Sequence, residues 1–325
     1  MATADNESDL IALIAANELQ QRETDSVILG IGDDAAIIRV AENHDLVTCT
    51  DTLVVGVHFP LQTSAYDIGW KSLAVNISDL AAMAATPRFA QLALTLPNAD
   101  TEWLKEFLAG WQALASQYNI GLIGGDTTRG PLSITVQAMG EIPRGQAALR
   151  RGRAQIGDVL VVSGDLGGAA LALQQLQAGE TVDSGLALEL NRPQPRVALG
   201  SALRGLATSA IDLSDGLAID LPRLMAGSGL GAKIHLQQLP LKPTLAALGK
   251  SQRYSLAVSG GDDYELLFSL PAELQSRLAE ISSAANVSLT VIGEVQANPA
   301  VELLTTDGSL FTPNFTAYEH FNENR

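Results

Sequence analysis

Ala36-Ile-Ile-Arg-Val-Ala-Glu-Asn-His-Asp-Leu-Val-Thr-Cys-Thr50 is the stretch that decides the fold class. It holds two short β-type runs, Ala36–Val40 and Leu46–Thr50, with no helix between them. Neighbouring strands of this kind suggest hairpins, and therefore an α+β chain rather than a doubly wound parallel sheet.

Working outward, helical periodicity over Asp9–Arg22 puts Leu10, Leu13, Ile14 and Asn17 on one side. A long apolar helix is expected from Tyr66 to Ala85, stopped by Thr86-Pro87. A strand at Ala90–Leu96, a helix at Thr101–Tyr118 and strands at Gly121–Ile123 and Leu132–Gly140 follow. Ile142–Ile156, with Pro143 and four arginines, reads as a connector, which sets two domains, 1–145 and 146–325. Beyond it, strands are expected at Asp158–Ser163, Ala232–Leu236, Tyr254–Val258, Tyr264–Leu270, Ser288–Val295 and Val301–Thr305. Helices are expected at Gly167–Ala178, Leu217–Ala226 and Ala272–Ala285.

Apolar residues make up 46% of the 325 and charged residues only 17%, so a sizeable core is expected and wholesale disorder is not. The balance of 36 acidic against 20 basic side chains, net −16, repels nucleic acid and anionic lipid. It would repel a nucleotide triphosphate too, unless a basic pocket or bound divalent cations offset it. A lone cysteine, Cys49, excludes an internal disulfide and a cysteine-based zinc site. Met1–Asp9 lacks the pattern of a secretory leader, and no apolar run approaches the ~18 residues of a membrane span. A cytoplasmic protein is expected.

The chemistry concentrates in aspartates set among small residues: Gly32-Asp33-Asp34, Thr50-Asp51-Thr52, Asn76-Ile-Ser-Asp79, Gly124-Gly125-Asp126, Asp212-Leu-Ser-Asp215-Gly216 and Gly260-Gly261-Asp262-Asp263. Hard oxygen ligands suit Mg²⁺ or Ca²⁺, and glycine or serine neighbours let backbone and phosphate approach. Singly, each is ordinary turn vocabulary; the set carries the weight. Asp79 lies in an otherwise apolar helix, where a buried carboxylate must be protonated, paired or on a metal. Asn76 shares its helix face, so an internal hydrogen bond is the bland alternative. Asp212 and Asp215 fall at a strand-to-helix junction, where capping by Ser214 or Asp215 would explain one residue but not all three. Gly124-Gly125-Asp126 reads as a turn whose N–H groups could meet phosphate, or as a plain tight turn. His58 alone reads as structural, Arg150 and Arg151 as phosphate-binding or solvated, and Cys49 as a small buried residue. Ser163-Gly-Asp-Leu-Gly-Gly168 reads as a strand–turn–helix junction. No Gly-x-x-x-x-Gly-Lys-Ser/Thr loop, protein-kinase motif set, Ser-His-Asp triad or His-rich zinc site can be assembled.

Together these stretches resemble the thiamine-monophosphate kinase family, within the superfamily of aminoimidazole ribonucleotide synthetase and selenophosphate synthetase. The resemblance rests on Gly30-Ile-Gly-Asp-Asp-Ala-Ala36, Thr50-Asp-Thr-Leu-Val54, Val75-Asn-Ile-Ser-Asp-Leu-Ala-Ala-Met83 and Leu122-Ile-Gly-Gly-Asp-Thr-Thr-Arg-Gly130. It continues through Ala210-Ile-Asp-Leu-Ser-Asp-Gly-Leu217 and Ser259-Gly-Gly-Asp-Asp-Tyr-Glu-Leu266 to Tyr318-Glu-His-Phe321. It implies ATP-dependent phosphorylation of thiamine monophosphate to thiamine diphosphate, by in-line transfer assisted by several Mg²⁺ ions. It further implies a homodimer whose N-terminal domains, binding ATP and Mg²⁺, share a barrel of strands, with a C-terminal α+β domain completing the active site. Residue by residue, Asp34, Thr50, Asp51, Asp79, Asp126, Asp212 and Asp215 match metal ligands. Gly125, Asp126, Arg151 and Ser214 match nucleotide contacts, and His58, Asp262 and Tyr318 (in preference to Phe321) match thiamine-phosphate contacts. Cys49 stands where relatives often carry a hydroxyl residue, and Asp262 is one methylene shorter than the Glu of the family pattern.

A phosphate monoester acceptor has its second pKa near 6 and is largely dianionic at neutral pH, so no general base is expected. The alternatives are another superfamily member, such as the synthetase that closes the aminoimidazole ring, and a non-catalytic Ca²⁺ binder, against which the lack of an EF-hand loop speaks.

Overall fold

The computed structural model describes residues 7–16 and 26–313. The chain divides into two compact units, Met1–Leu80 with Ala85–Gln146, and Ala81–Ala84 with Ala147–Arg325.

The first unit runs α1 (Glu7–Ala16), β1 (Val27–Leu29), β2 (Ile37–Ile38), β3 (His44–Val54), α2 (Ala65–Ala82), β4 (Thr86–Leu96), α3 (Thr101–Tyr118), β5 (Gly121–Arg129) and β6 (Ser133–Pro143). Local signals set the bounds of α3: the Asp100 side chain accepts from the N–H groups of Glu102 and Trp103, and Asn119 ends it in the left-handed region at φ 54°. Helix α2 is buried almost all round, with every residue from Ile68 to Ser78 buried, Lys71, Ser72, Asn76 and Ser78 among them. Its glycine and that of α3 permit backbone contact: a Cβ on Gly69 would lie 2.0 Å from the Phe107 carbonyl oxygen, and one on Gly110 would lie 1.9 Å from that of Tyr66.

The four-stranded sheet has the order β3-β6-β4-β5, antiparallel except for the parallel β4–β5 pair. The expected hairpin around Ala36–Thr50 does not form. Strand β2 pairs with β1, while β3 pairs with β6, matching Thr50 to Gln137. Asp9–Arg22 is helical over Glu7–Ala16, and its later part lies outside the described residues.

The second unit runs β7 (Val159–Ser163), α4 (Gly168–Gln177), α5 (Ser184–Asn191), α6 (Val197–Leu203), β8 (Ser209–Asp212), α7 (Leu217–Ala226), β9 (Gly231–His235), α8 (Lys250–Ser259), β10 (Leu266–Leu270), α9 (Leu278–Ala285), β11 (Leu289–Gln296) and β12 (Val301–Leu304). Its six strands order β12-β9-β11-β7-β10-β8, all antiparallel but β12–β9. Tyr254–Val258, expected as a strand, lies in the C-terminal half of α8; its residues are all buried, and so short a buried run carries no period to separate the two states. The helix expected over Ala272–Ala285 opens as a 3-10 turn, Ala272–Arg277, before α9. Helices α5 and α6 were not foreseen. Among the described residues no helix is long and apolar enough to cross a membrane.

Candidate active site

In the first unit the acidic motifs sit on three kinds of element. Asp33 and Asp34 lie exposed in the loop before β2, with the Asp34 N–H donating to Asp33 Oδ1 at 2.8 Å. Thr50 and Asp51 lie on β3, one of the two outer strands of the sheet. Helix α2 grips them through Asn76, which is fully buried. Its Oδ1 accepts the Asp51 N–H at 3.1 Å and its Nδ2 donates to the Ser72 carbonyl at 3.0 Å. The Cys49 thiol donates to the Asn76 carbonyl at 3.3 Å. Asn76 thus ties helix to strand, and Asp79 follows three residues later. Asp79 itself is half-buried, so the expected buried carboxylate is corrected: the polar residues fully buried on this helix face are Asn76 and Ser72, one turn before it.

Gly124-Gly125-Asp126, expected as a turn, lies inside β5. Gly125 is required by the neighbouring strand, because a Cβ there would stand 1.8 Å from the Leu92 carbonyl oxygen. Asp51, Val136, Leu92 and Gly125 form one row across the sheet. Asp51 and Gly125 therefore face each other from opposite edges, about 15 Å apart at roughly 4.8 Å per strand. His58 follows β3, and its Nδ1 accepts the Val54 N–H at 2.9 Å, which places the proton of the neutral ring on Nε2. The buried Lys71 donates to the His58 carbonyl at 3.4 Å.

In the second unit two motifs pack backbone against backbone. Strand β8 ends at the buried Asp212, and the segment up to Gly216 lies along Gly260–Glu265. Leu213 N–H donates to the Glu265 carbonyl at 2.8 Å, Tyr264 N–H to Leu213 at 2.9 Å and Asp262 N–H to Ser214 at 2.9 Å. Glycine is needed at the contact: a Cβ on Gly216 would lie 2.5 Å from the Gly260 oxygen, and one on Gly261 2.6 Å from the Ser214 oxygen. Asp212, Ser214, Asp215 and Asp262 are brought together here.

Neither Ser214 nor Asp215 caps α7. Gly216 holds the cap position without a side-chain bond, and Asp220 reaches back to accept the Asp215 N–H at 2.9 Å. Arg223 bridges the carboxylates of Asp215 and Asp220. Burial pushes Asp220 up to about 7, with Asp215 and Asp212 adding to the rise and the Asp215 N–H and Arg223 opposing it. Burial and the nearby Glu265 and Asp262 carboxylates likewise raise Asp263, against the lowering pull of the Gly167 N–H.

Arg150 and Arg151 are exposed. Arg151 precedes Gly152, whose N–H donates to the Leu224 carbonyl of α7 at 3.1 Å. Tyr318 and Phe321 lie outside the described residues.

Asp220, Arg223, Glu265 and Arg196 were not singled out by sequence, and Asp263 was named within its motif but given no role. Glu265 carried a legible signal: an acid inside the apolar run Tyr264–Leu270 needs a partner. Among the described residues no three His, Cys, Asp or Glu side chains are gathered to hold a metal ion. The donors are nonetheless hard carboxylate and hydroxyl oxygens, and the crowding of acid around Asp220 is charge a divalent cation would offset. The residues fit Mg²⁺.

Two family models match: the AIR synthase related protein N-terminal domain over residues 32–142 and its C-terminal domain over residues 155–305. A thiamine-monophosphate kinase of Haemophilus influenzae is 41% identical over 309 residues, covering 93% of this chain and 94% of its own. The crystal structure of thiamine-monophosphate kinase from Stenotrophomonas maltophilia K279a is 45% identical, with a TM-score of 0.83, covering 95% of this chain and 98% of its own. A solved structure described as AaThiL complexed with AMPPCP and TMP is 28% identical, with a TM-score of 0.76 over 99% of both chains. The chain belongs to the AIR synthase related proteins and, within them, to the thiamine-monophosphate kinase family.

Proposed function

We propose that this chain transfers the terminal phosphoryl group of ATP to thiamine monophosphate, giving ADP and thiamine diphosphate. What carries the reading is whole-length kinship with thiamine-monophosphate kinases, including a relative holding an ATP analogue together with TMP.

The acceptor is already an anion, so the chain's task is to align two anions rather than to remove a proton. Bound Mg²⁺ supplies the charge neutralisation between them. Asp34, Thr50, Asp51, Asp79, Asp126, Asp212 and Asp215 would hold the ions, in keeping with the habit of Mg²⁺ of taking one or two carboxylates plus phosphate oxygens and water. Gly125, Asp126, Arg151 and Ser214 would meet the nucleotide, and His58, Asp262 and Tyr318 the thiamine phosphate. The Val54 N–H engages His58 Nδ1 and so fixes the orientation of the ring for that contact. Residues 1–145 would form the ATP- and Mg²⁺-binding and dimerisation domain, and residues 146–325 the part that completes the site. The protein would act in the cytoplasm as a homodimer. The long outer strands β3 and β5 are edges through which two such sheets could join into a barrel.

Incubation with ATP, Mg²⁺ and thiamine monophosphate should yield thiamine diphosphate, and chelation of the metal should stop it. Asp79→Asn and Asp215→Asn should each abolish turnover with the fold intact. No product, alongside turnover of a different phosphorylated small molecule, would move the assignment to another activity of the superfamily.

A further inference from the structure

The loop Gly260–Glu265 carries Asp262, the proposed acceptor contact, on an unusual backbone. Asp262 has φ 69° and Tyr264 φ 49°, and neither is glycine. Two left-handed non-glycine residues so close together persist only where the surroundings over-determine them. Here the surroundings are a buried polar clamp. Glu265 is 4% exposed. Its carboxylate takes both arms of the Arg196 guanidinium, Nε at 2.7 Å and Nη2 alongside, and also accepts the Ser163 hydroxyl. Ser163 Oγ in turn accepts the Leu266 N–H at 2.9 Å. Room for the carboxylate depends on Gly164, where a Cβ would stand 2.0 Å from Glu265 Oε1. On the other side of Tyr264, both Asp263 oxygens lie 3.1 Å from the Gly167 N–H. The Ser163–Gly168 segment, otherwise a plain strand-to-helix junction, is thus the floor to which the loop is bonded.

We propose that Arg196 and Glu265 are positioning residues that hold the Gly260–Glu265 loop, and with it Asp262, at the acceptor end of the site. This rests on the kinase reading above. The neighbouring Asp212–Asp215 segment shares backbone bonds with the loop but has further anchors of its own in strand β8 and Asp220, so loss of the clamp falls more on the acceptor than on the nucleotide. The two-armed geometry is a property of arginine that lysine does not share.

The test is steady-state kinetics of the full chain with each substrate varied in turn, alongside thermal unfolding. Arg196→Lys should raise KM for thiamine monophosphate about tenfold, since small misplacements of a binding group are costly. KM for ATP should move less than about twofold, on the same reasoning. The paired change Arg196→Met with Glu265→Gln removes both charges, so no lone buried charge threatens folding, and it should show the same split. An unchanged KM for thiamine monophosphate in both variants overturns the proposal. Equal losses toward both substrates, or failure of both variants to fold, would reduce the clamp to a structural role and overturn it as well. A wild-type chain that makes no thiamine diphosphate would instead overturn the kinase reading on which the proposal stands.

Discussion

Replacing Asn76 by alanine tests the link between α2 and β3 on which the placement of Asp51 depends. The side chain is fully buried and its Oδ1 is the acceptor for the Asp51 N–H. Removing it leaves that N–H without its acceptor, at a cost of about 1 to 3 kcal/mol. The emptied amide volume adds about 1 kcal/mol. The sum, about 3 kcal/mol, corresponds to a fall of about 10 °C in the unfolding midpoint of a unit of roughly 150 residues. Calorimetric melting reads the loss, and hydrogen exchange at the Asp51 amide reads its origin. Asn76→Asp adds a pH signature. When protonated, the new carboxyl can both accept from Asp51 and donate to the Ser72 carbonyl; when ionised, it cannot donate. Burial raises its folded pKa above the unfolded value, so the variant's stability should be fullest at low pH and fall as pH rises through the folded pKa. A loss below about 0.5 kcal/mol in Asn76→Ala, with unchanged protection of the Asp51 amide, would refute the reasoning, because such a loss is no more than a surface substitution produces.

Three further outcomes follow from the geometry. Gly110→Ala should destabilise the first unit by about 2 kcal/mol or more in urea unfolding, because the new Cβ meets the Tyr66 carbonyl oxygen and neither backbone can yield; wild-type stability would remove the α2–α3 contact. Gly216→Ala, strained both by φ 96° and by the Gly260 oxygen, should prise the Asp212–Gly216 segment from the Gly260–Glu265 loop and lower activity far more than Gly308→Ala, which shares the backbone strain at φ 81° but meets open space. Asp263→Asn keeps an acceptor for the Gly167 N–H but removes a carboxylate whose folded pKa is raised by burial and by Glu265. A raised carboxylate contributes stability that is full below its unfolded pKa and is lost as pH rises through the folded value. The variant should therefore be the more stable form at pH 8, with the difference closing toward pH 4 in thermal melts; a difference that is flat with pH would count against it.

What the sequence made legible was local. The bounds of α3, from Thr101 to Tyr118, follow from the Asp100 cap, the helical period and the Asn119 stop, each signal adjoining the end it sets. The junctions at Ser163–Gly168 and Asp212–Leu217 were likewise legible, because glycine and aspartate mark such turns directly. Strand pairing was not. The run that suggested a hairpin, Leu46–Thr50, finds its partner in β6, with Thr50 opposite Gln137, and nothing near Thr50 names that residue. Gly124-Gly125-Asp126 misled for a related reason. Glycine there answers a strand that passes within 1.8 Å of a would-be Cβ, and a close approach looks the same in sequence as a turn.

The site divides along the same line. Its aspartates were visible because acids among small and apolar residues are expensive to bury and need a reason. That cost announces that a partner exists but not which one. For the Glu265 carboxylate the partner is Arg196, 69 residues away, and at Asp51 it is the backbone N–H, not the carboxylate, that finds Asn76, 25 residues away. Arg196 stands in Arg192-Pro-Gln-Pro-Arg196, a stretch that reads as a loop and bears no mark of chemistry. The residues that would touch substrate and metal are thus the ones a sequence exposes most readily, while those that hold them in place emerge only when the chain is folded. The strained backbone at Asp262 and Tyr264 joins the two sets. Its left-handed angles have no cause within Gly260–Glu265 itself, and they become intelligible once Glu265 is bonded to Arg196 and Ser163 and Asp263 to Gly167.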